Sequence, residues 1–244
     1  MEKVIGILGG MGPEATVDCF DKIIKNTPAA KDQDHLRVVI DSNPNVPDRT
    51  AAIIGDGKSP VPVMVAGCLA LQRAGADFVI IPCVSAHVFL ADVQQQIELP
   101  VLSIFDAVAE AITRDHPEIK KVGLLGTTGT VSGGLFQKRL AQQDITTFVP
   151  DDAMQSKIMA AIYDIKNTKP SRTRSEITND LVSAAESLIL KKPEGAQGII
   201  AGCTEIPLAL KQKHLSVPYF DAVTILARAA IIKAGTRPLP LQMK

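Results

Sequence analysis

Two of the four cysteines close near-identical apolar runs: Cys83 in IIPCVSAH (80–87) and Cys203 in GIIAGCTEIP (198–207). A thiol at the end of a buried run is most often a core residue. Two of them in matching settings suit a particular chemistry. To invert a carbon centre, one group removes a proton from one face while another returns a proton to the opposite face. The first must be a thiolate and the second a thiol. An unperturbed cysteine, with pKa about 8.5, is only about a tenth ionised near pH 7.5. A helix N-terminus following the cysteine lowers that pKa, and the pattern after Cys83 and Cys203 predicts one in each case. Cys19 and Cys68 lie within helical patterns and are read as core residues.

The elements that position these thiols follow from periodicity. Val- and Ile-rich runs at 3–8, 36–41, 77–82, 121–125 and 198–202 read as strands buried on both faces. Helical stripes lie between them: Val17, Phe20 and Ile24 after Pro13, and Ile177, Leu181, Ala184 and Leu188 after Ser171. Alternating strand and helix means α/β with mostly parallel sheets. The chain also resembles itself. KVIGILGGMGPEAT (3–16) parallels KVGLLGTTGTVSGG (121–134), ADFVIIPCVSAH parallels AQGIIAGCTEIP, and LPVLSIFDAVAEAI parallels SVPYFDAVTILARAAI. Val122 minus Val4 gives 118, Cys203 minus Cys83 gives 120, and Pro218 minus Pro100 gives 118. Two pseudo-symmetric lobes are expected, one of residues 1–104 with 218–244 and one of 105–217, each a parallel sheet flanked by helices. Ligands bind outside the carboxyl ends of parallel strands, so Cys83 and Cys203 are expected to face one another across an interlobe cleft.

Composition narrows the classes. The 244 residues are 46% hydrophobic, enough to bury a sizeable core, and 26 basic residues balance 26 acidic ones. No net field draws the chain to nucleic acid or an anionic membrane, and 4% aromatics offers little stacking surface for single strands. The N-terminal apolar run is too short for a signal peptide or a span, and widely spaced cysteines without a CxxC pair read as free thiols in a cytoplasm. GMGPEA (10–15) fits the G-x-G-x-x-A dinucleotide turn, with Asp41 placed to hold a ribose, so an NAD-dependent oxidoreductase is an alternative. His87, four residues after Cys83, has too few companions for a metal pair. His35, His116 and His214 carry no signal.

GILGGMGPEAT (6–16), SNPNVPDRT (42–50), PCVSAH (82–87), IYDIK (162–166) and GCTEIP (202–207) together resemble the aspartate/glutamate racemase superfamily, most of all its cofactor-independent aspartate racemase branch. The resemblance spans nearly the whole chain. It implies two lobes with the site between them, a homodimer, no cofactor and no metal, and a small amino-acid or dicarboxylate substrate. By position, Cys83 and Cys203 match the acid/base pair, and Arg49 and Lys166 match cations that engage substrate carboxylates. Met11, Thr50, Ser85, Thr127 and Thr204 match pocket-lining positions. Glu205 reads equally as a structural cap. The family has Cys-Asn-Thr-Ala-His where this chain has Cys-Val-Ser-Ala-His. Val84 can neither donate nor accept a hydrogen bond, which shifts the expected substrate preference. A lapsed relative that only binds an amino acid or dicarboxylate is the non-enzymatic alternative.

Overall fold

The computed structural model describes residues 2–240. Among them are seven strands: β1 (Ile5–Gly9), β2 (Val38–Ser42), β3 (Phe78–Ile80), β4 (Lys121–Gly126), β5 (Thr146–Phe148), β6 (Gly198–Gly202) and β7 (Tyr219–Asp221). Every pairing between them is parallel, in the orders β2-β1-β3 and β5-β4-β6-β7. Val101 bridges Val79 in parallel beyond β3, so the first sheet repeats the order of the second down to its last position. Contacts divide the chain into two units. One runs to Ala107 and resumes at Val223; the other is Val108–Ala222. The second changeover lies later than the expected 217/218 because β7 hydrogen-bonds into the second sheet through Ile199 and Ala201. The architecture is α/β, with parallel sheets flanked by helices in each lobe.

The central strands owe their place to continuous apolar sequence: β1 and β6 are buried at every position. β2 is not buried on both faces as its sequence suggests. It is an edge strand, and Ile40 is exposed. β5 and β7 escaped the reading because three residues carry too little period to register.

In the second unit the helix Arg174–Ile189 starts at a capping box, where Thr173 and Glu176 satisfy each other's backbone amides. It buries the expected stripe of Ile177, Leu181, Ala184 and Leu188 against the sheet. In the first unit the helix Pro13–Asn26 is rotated from expectation. Ala15, Thr16, Cys19 and Ile23 face inward, while Val17 is 67% and Ile24 40% exposed. The cause is Thr16. Its hydroxyl accepts the Gly10 amide at 2.8 Å and donates to the Gly12 carbonyl at 3.0 Å, which locks that face onto the end of β1.

Register corrects the repeat. Ile5 pairs with Phe78 in the first sheet and Val122 with Gly198 in the second. Phe78 and Gly198 differ by the 120 of the two cysteines, so the leading strands are offset by 122 − 5 = 117 rather than 118. This aligns GILGGMG with GLLGTTG, and Gly10 with Thr127.

Candidate active site

Each cysteine emerges where its sheet's register places it. β6 ends at Gly202, paired with Gly126 of β4, and Cys203 is the next residue. Cys83 is the third residue after β3, where the chain turns back sharply, its amide donating to the Ile81 carbonyl at 2.8 Å. Both thiols are 5% exposed, and both are free.

In the first unit, Cys83 Sγ lies 3.6 Å from Ser85 Oγ. Ser85 opens the one-and-a-half-turn helix Ser85–Phe89, on which the helix Arg49–Ile54 packs. That contact brings Arg49 and the half-buried Thr50 to the same region. Arg49 donates to the carbonyls of Val46 and Pro47 at 3.0 Å and of Met11 at 3.4 Å, tying its loop to the turn after β1. Its Nε–H is buried and pairs with no protein acceptor among the described residues. Met11 shares a buried cluster with Cys83 and Val46. Val84 is fully buried beside the thiol. Of the expected residues, Met11, Arg49, Thr50, Cys83, Val84 and Ser85 therefore belong to this unit.

Thr127, Lys166, Cys203 and Thr204 belong to the second unit. Thr127 caps the helix Thr128–Gly133, its Oγ1 accepting from the Thr130 amide at 3.1 Å. Lys166 ends the helix Asp152–Lys166, whose start is fixed by Asp151 accepting from the Met154 amide. Ile158, Ile162 and Ile165 of that helix share a buried cluster with Cys203.

Glu205 is the residue that sequence reasoning undervalued. It is 3% exposed, and Oε2 accepts from the Cys203 thiol at 2.9 Å and from the Thr204 hydroxyl at 3.2 Å. Its other oxygen is 3.5 Å from Lys166 Nζ. The signal was positional. At the offset of 120, Glu205 corresponds to Ser85, and each reaches back two residues to its own thiol.

The electrostatics depart from expectation at Cys203. Burial first, and the Glu205 carboxylate second, push its thiol well above the ordinary range, while Lys166 works the other way. The helix that follows, Ile206–Ala209, is a single turn and cannot offset burial in a low dielectric.

His87 is buried, and its ring Nδ1–H donates to the Cys83 carbonyl at 3.0 Å, steadying the turn that carries the thiol. Burial lowers its pKa from 6.5 to about 4. A histidine with a depressed folded-state pKa binds fewer protons folded than unfolded between those values, so acidification favours unfolding. Between pH 7 and pH 5 the protein is expected to lose about 2 kcal/mol of stability through this group. Urea midpoints measured across that range should fall in the native chain and fall less in His87→Gln.

Among the described residues no group of three His, Cys, Asp or Glu side chains could hold a metal ion, and no helix is long and apolar enough to cross a membrane. The GMGPEA turn is closed upon itself, since the Gly10 amide donates to Thr16. Asp41 lies against Gly67 and Cys68 of the helix Val61–Arg73, where burial and that carboxylate push the Cys68 thiol up to about 11. The turn and Asp41 are thus both engaged by the chain's own groups.

Comparison with known proteins gives a consistent picture. Residues 8–230 match the family described as Asp/Glu/hydantoin racemase. A broad specificity amino-acid racemase of Bacillus subtilis (strain 168), RacX, is 28% identical over 236 residues, covering 93% of this chain and 96% of its own. The structure of an aspartate racemase from Picrophilus torridus is 30% identical with a TM-score of 0.83, covering 97% of this chain and 96% of its own. An aspartate racemase homologue from Pyrococcus horikoshii OT3 is also 30% identical, with a TM-score of 0.72 and coverage of 96% and 99%.

Proposed function

The chain belongs to the Asp/Glu/hydantoin racemase family, and we propose that it interconverts the enantiomers of aspartate, glutamate or a related amino acid by two-base proton transfer, without a cofactor. The observation that carries this reading is the paired placement of Cys83 and Cys203. Each follows the equivalent inner strand of its sheet and is buried, free and contacted by a polar side chain two residues on. In the proposal the two thiols act on opposite faces of one bound amino acid. One sulfur takes the α-proton as thiolate while the other delivers its own.

Removing an α-proton leaves negative charge beside a carboxylate, so cations must stabilise it. Arg49, with its buried Nε–H, and Lys166 take the substrate carboxylates, arginine offering the forked geometry. Met11, Thr50, Thr127, Ser85 and Thr204 line the pocket. The names of the Picrophilus and Bacillus relatives support aspartate and a broader amino-acid range respectively. Val84 favours breadth, because a buried valine beside the thiol leaves a polar substrate group there without a partner. The enzyme acts in the cytoplasm as a homodimer.

The test is incubation of single enantiomers of an amino-acid panel with the purified protein in deuterated water. Loss of optical activity with deuterium entering the α-carbon is the expected result. Binding without exchange would make the protein an amino-acid receptor instead.

A further inference from the structure

We infer that Arg172 is a positioning residue for Lys166: by joining Asp164 to Asp180 it holds the last turn of the helix Asp152–Lys166, and so fixes where that ammonium meets a substrate carboxylate. The inference deepens the racemase reading and rests on Lys166 receiving a substrate carboxylate.

A helix end is the least secure part of a helix, because its last carbonyls have no partner within it. This one passes into extended backbone at Asn167, whose amide donates to the Asp164 carbonyl at 3.2 Å, without the left-handed residue that closes many helices. Lys166 occupies the final helical position, so fraying would carry it away. The chain then runs through the exposed residues 167–171 to Arg172, which turns back across this loop. Arg172 Nε donates to Asp164 Oδ2 at 2.5 Å and Nη1 to Asp180 Oδ2 at 2.6 Å, while Ser171 Oγ donates to Asp164 Oδ1 at 3.4 Å. One guanidinium thus joins the last turn of one helix to the second turn of the helix Arg174–Ile189. A planar fork serves two carboxylates at once, as a point charge does not. Its hydrogen bond to Asp164 holds that carboxyl below the usual carboxylate range, so the clamp is ionic at neutral pH.

The clamp and the cation lie on opposite sides of the turn. Asp164 and Lys166 are two residues apart, about 200° round the helix axis. Arg172 grips one side, and Lys166 leaves from the other to reach within 3.5 Å of Glu205 Oε1. Rotation or fraying of the turn would displace the ammonium, whereas a held turn needs less ordering when a ligand arrives. Loss of the guanidinium would also leave Asp164 and Asp180 as neighbouring like charges, which push the two helices apart. Arg172 is not placed to touch the reacting atoms; it acts through Lys166.

Succinate, a dicarboxylate with no amino group, is the probe, and its Kd by calorimetry at pH 7.5 is the readout, in chains shown to be folded by circular dichroism. Arg172→Gln should weaken binding about fivefold, the worth of one well-formed ion pair. In a Lys166→Gln chain, itself a weaker binder, the same change should have no further effect, because the group it positions is gone. A merely structural role would weaken both chains alike. Should Arg172→Gln fail to fold, Asp180→Asn, which releases one arm only, should cost about twofold, and that loss should likewise vanish in Lys166→Gln. Unchanged affinity in Arg172→Gln, or equal losses with and without Lys166, would overturn the inference. Native affinity in Lys166→Gln, or no succinate binding by the native chain, would also overturn it by removing Lys166 from the carboxylate site. Deuterium exchange by the native chain decides the racemase reading separately.

Discussion

Cys83→Ser and Cys203→Ser are each expected to lower racemase turnover by about 10²–10⁴-fold, the range over which a positioned acid or base contributes. A serine hydroxyl fills nearly the same space but does not ionise near neutral pH, so it can neither take the α-proton nor exchange one readily. Under the proposed two-base scheme the thiols work as a pair within a single inversion, so the double variant should be little worse than either single one. The enantiomers separate their roles. In deuterated water each single variant keeps one sulfur, and slow α-exchange without inversion should persist for one enantiomer only, a different one in each variant. Cys68→Ala provides the contrast. Its thiol is buried against Asp41 in the core, and kcat should hold even where stability drops. Near-native turnover in either catalytic variant would remove the two-base scheme.

The parts of this molecule that could be read from its sequence are those where one local pattern decides the outcome. Continuous apolar runs gave β1, β4 and β6 because a strand covered on both faces has no polar alternation to confuse it. The stripe on Arg174–Ile189 was legible because burial alone sets that helix's rotation. The stripe on Pro13–Asn26 was misread because a hydrogen bond sets its rotation. Thr16 must meet the amide of Gly10, and this outweighs the burial of Val17 and Ile24. At the candidate site, the end-of-strand placement of both free cysteines was legible and the electrostatics were not. A carboxylate two residues after Cys203 could cap a helix or contact the thiol, and the choice depends on where Lys166 and the isoleucines of its helix come to rest. The one-residue slip in the repeat has a similar origin, since hydrogen-bonded register, not sequence likeness, fixes which residues share a level.

Gly10→Ala should be strongly damaging although Gly10 is not one of the reacting groups. Gly10 has φ +88°, a left-handed conformation that costs an L-residue about 1–2 kcal/mol. A methyl group there would lie 2.3 Å from the backbone carbonyl carbon and oxygen of Asn43, which are main-chain atoms without a rotamer to yield. Relieving such overpacking adds about 1–3 kcal/mol, so a loss of roughly 2–5 kcal/mol is expected, enough to approach the whole margin of many domains. The functional consequence follows the same contact. Asn43 begins the loop that carries Arg49, and Arg49 is tied back to the Met11 carbonyl at 3.4 Å. Pushing Asn43 off the turn would pull the guanidinium from its place and loosen substrate binding before the thiols are disturbed. Variants that still fold should therefore show KM raised by a larger factor than kcat is lowered, together with a lower urea midpoint. A Gly10→Ala protein with native stability and native KM would mean that the turn after β1 does not hold the Arg49 loop in place.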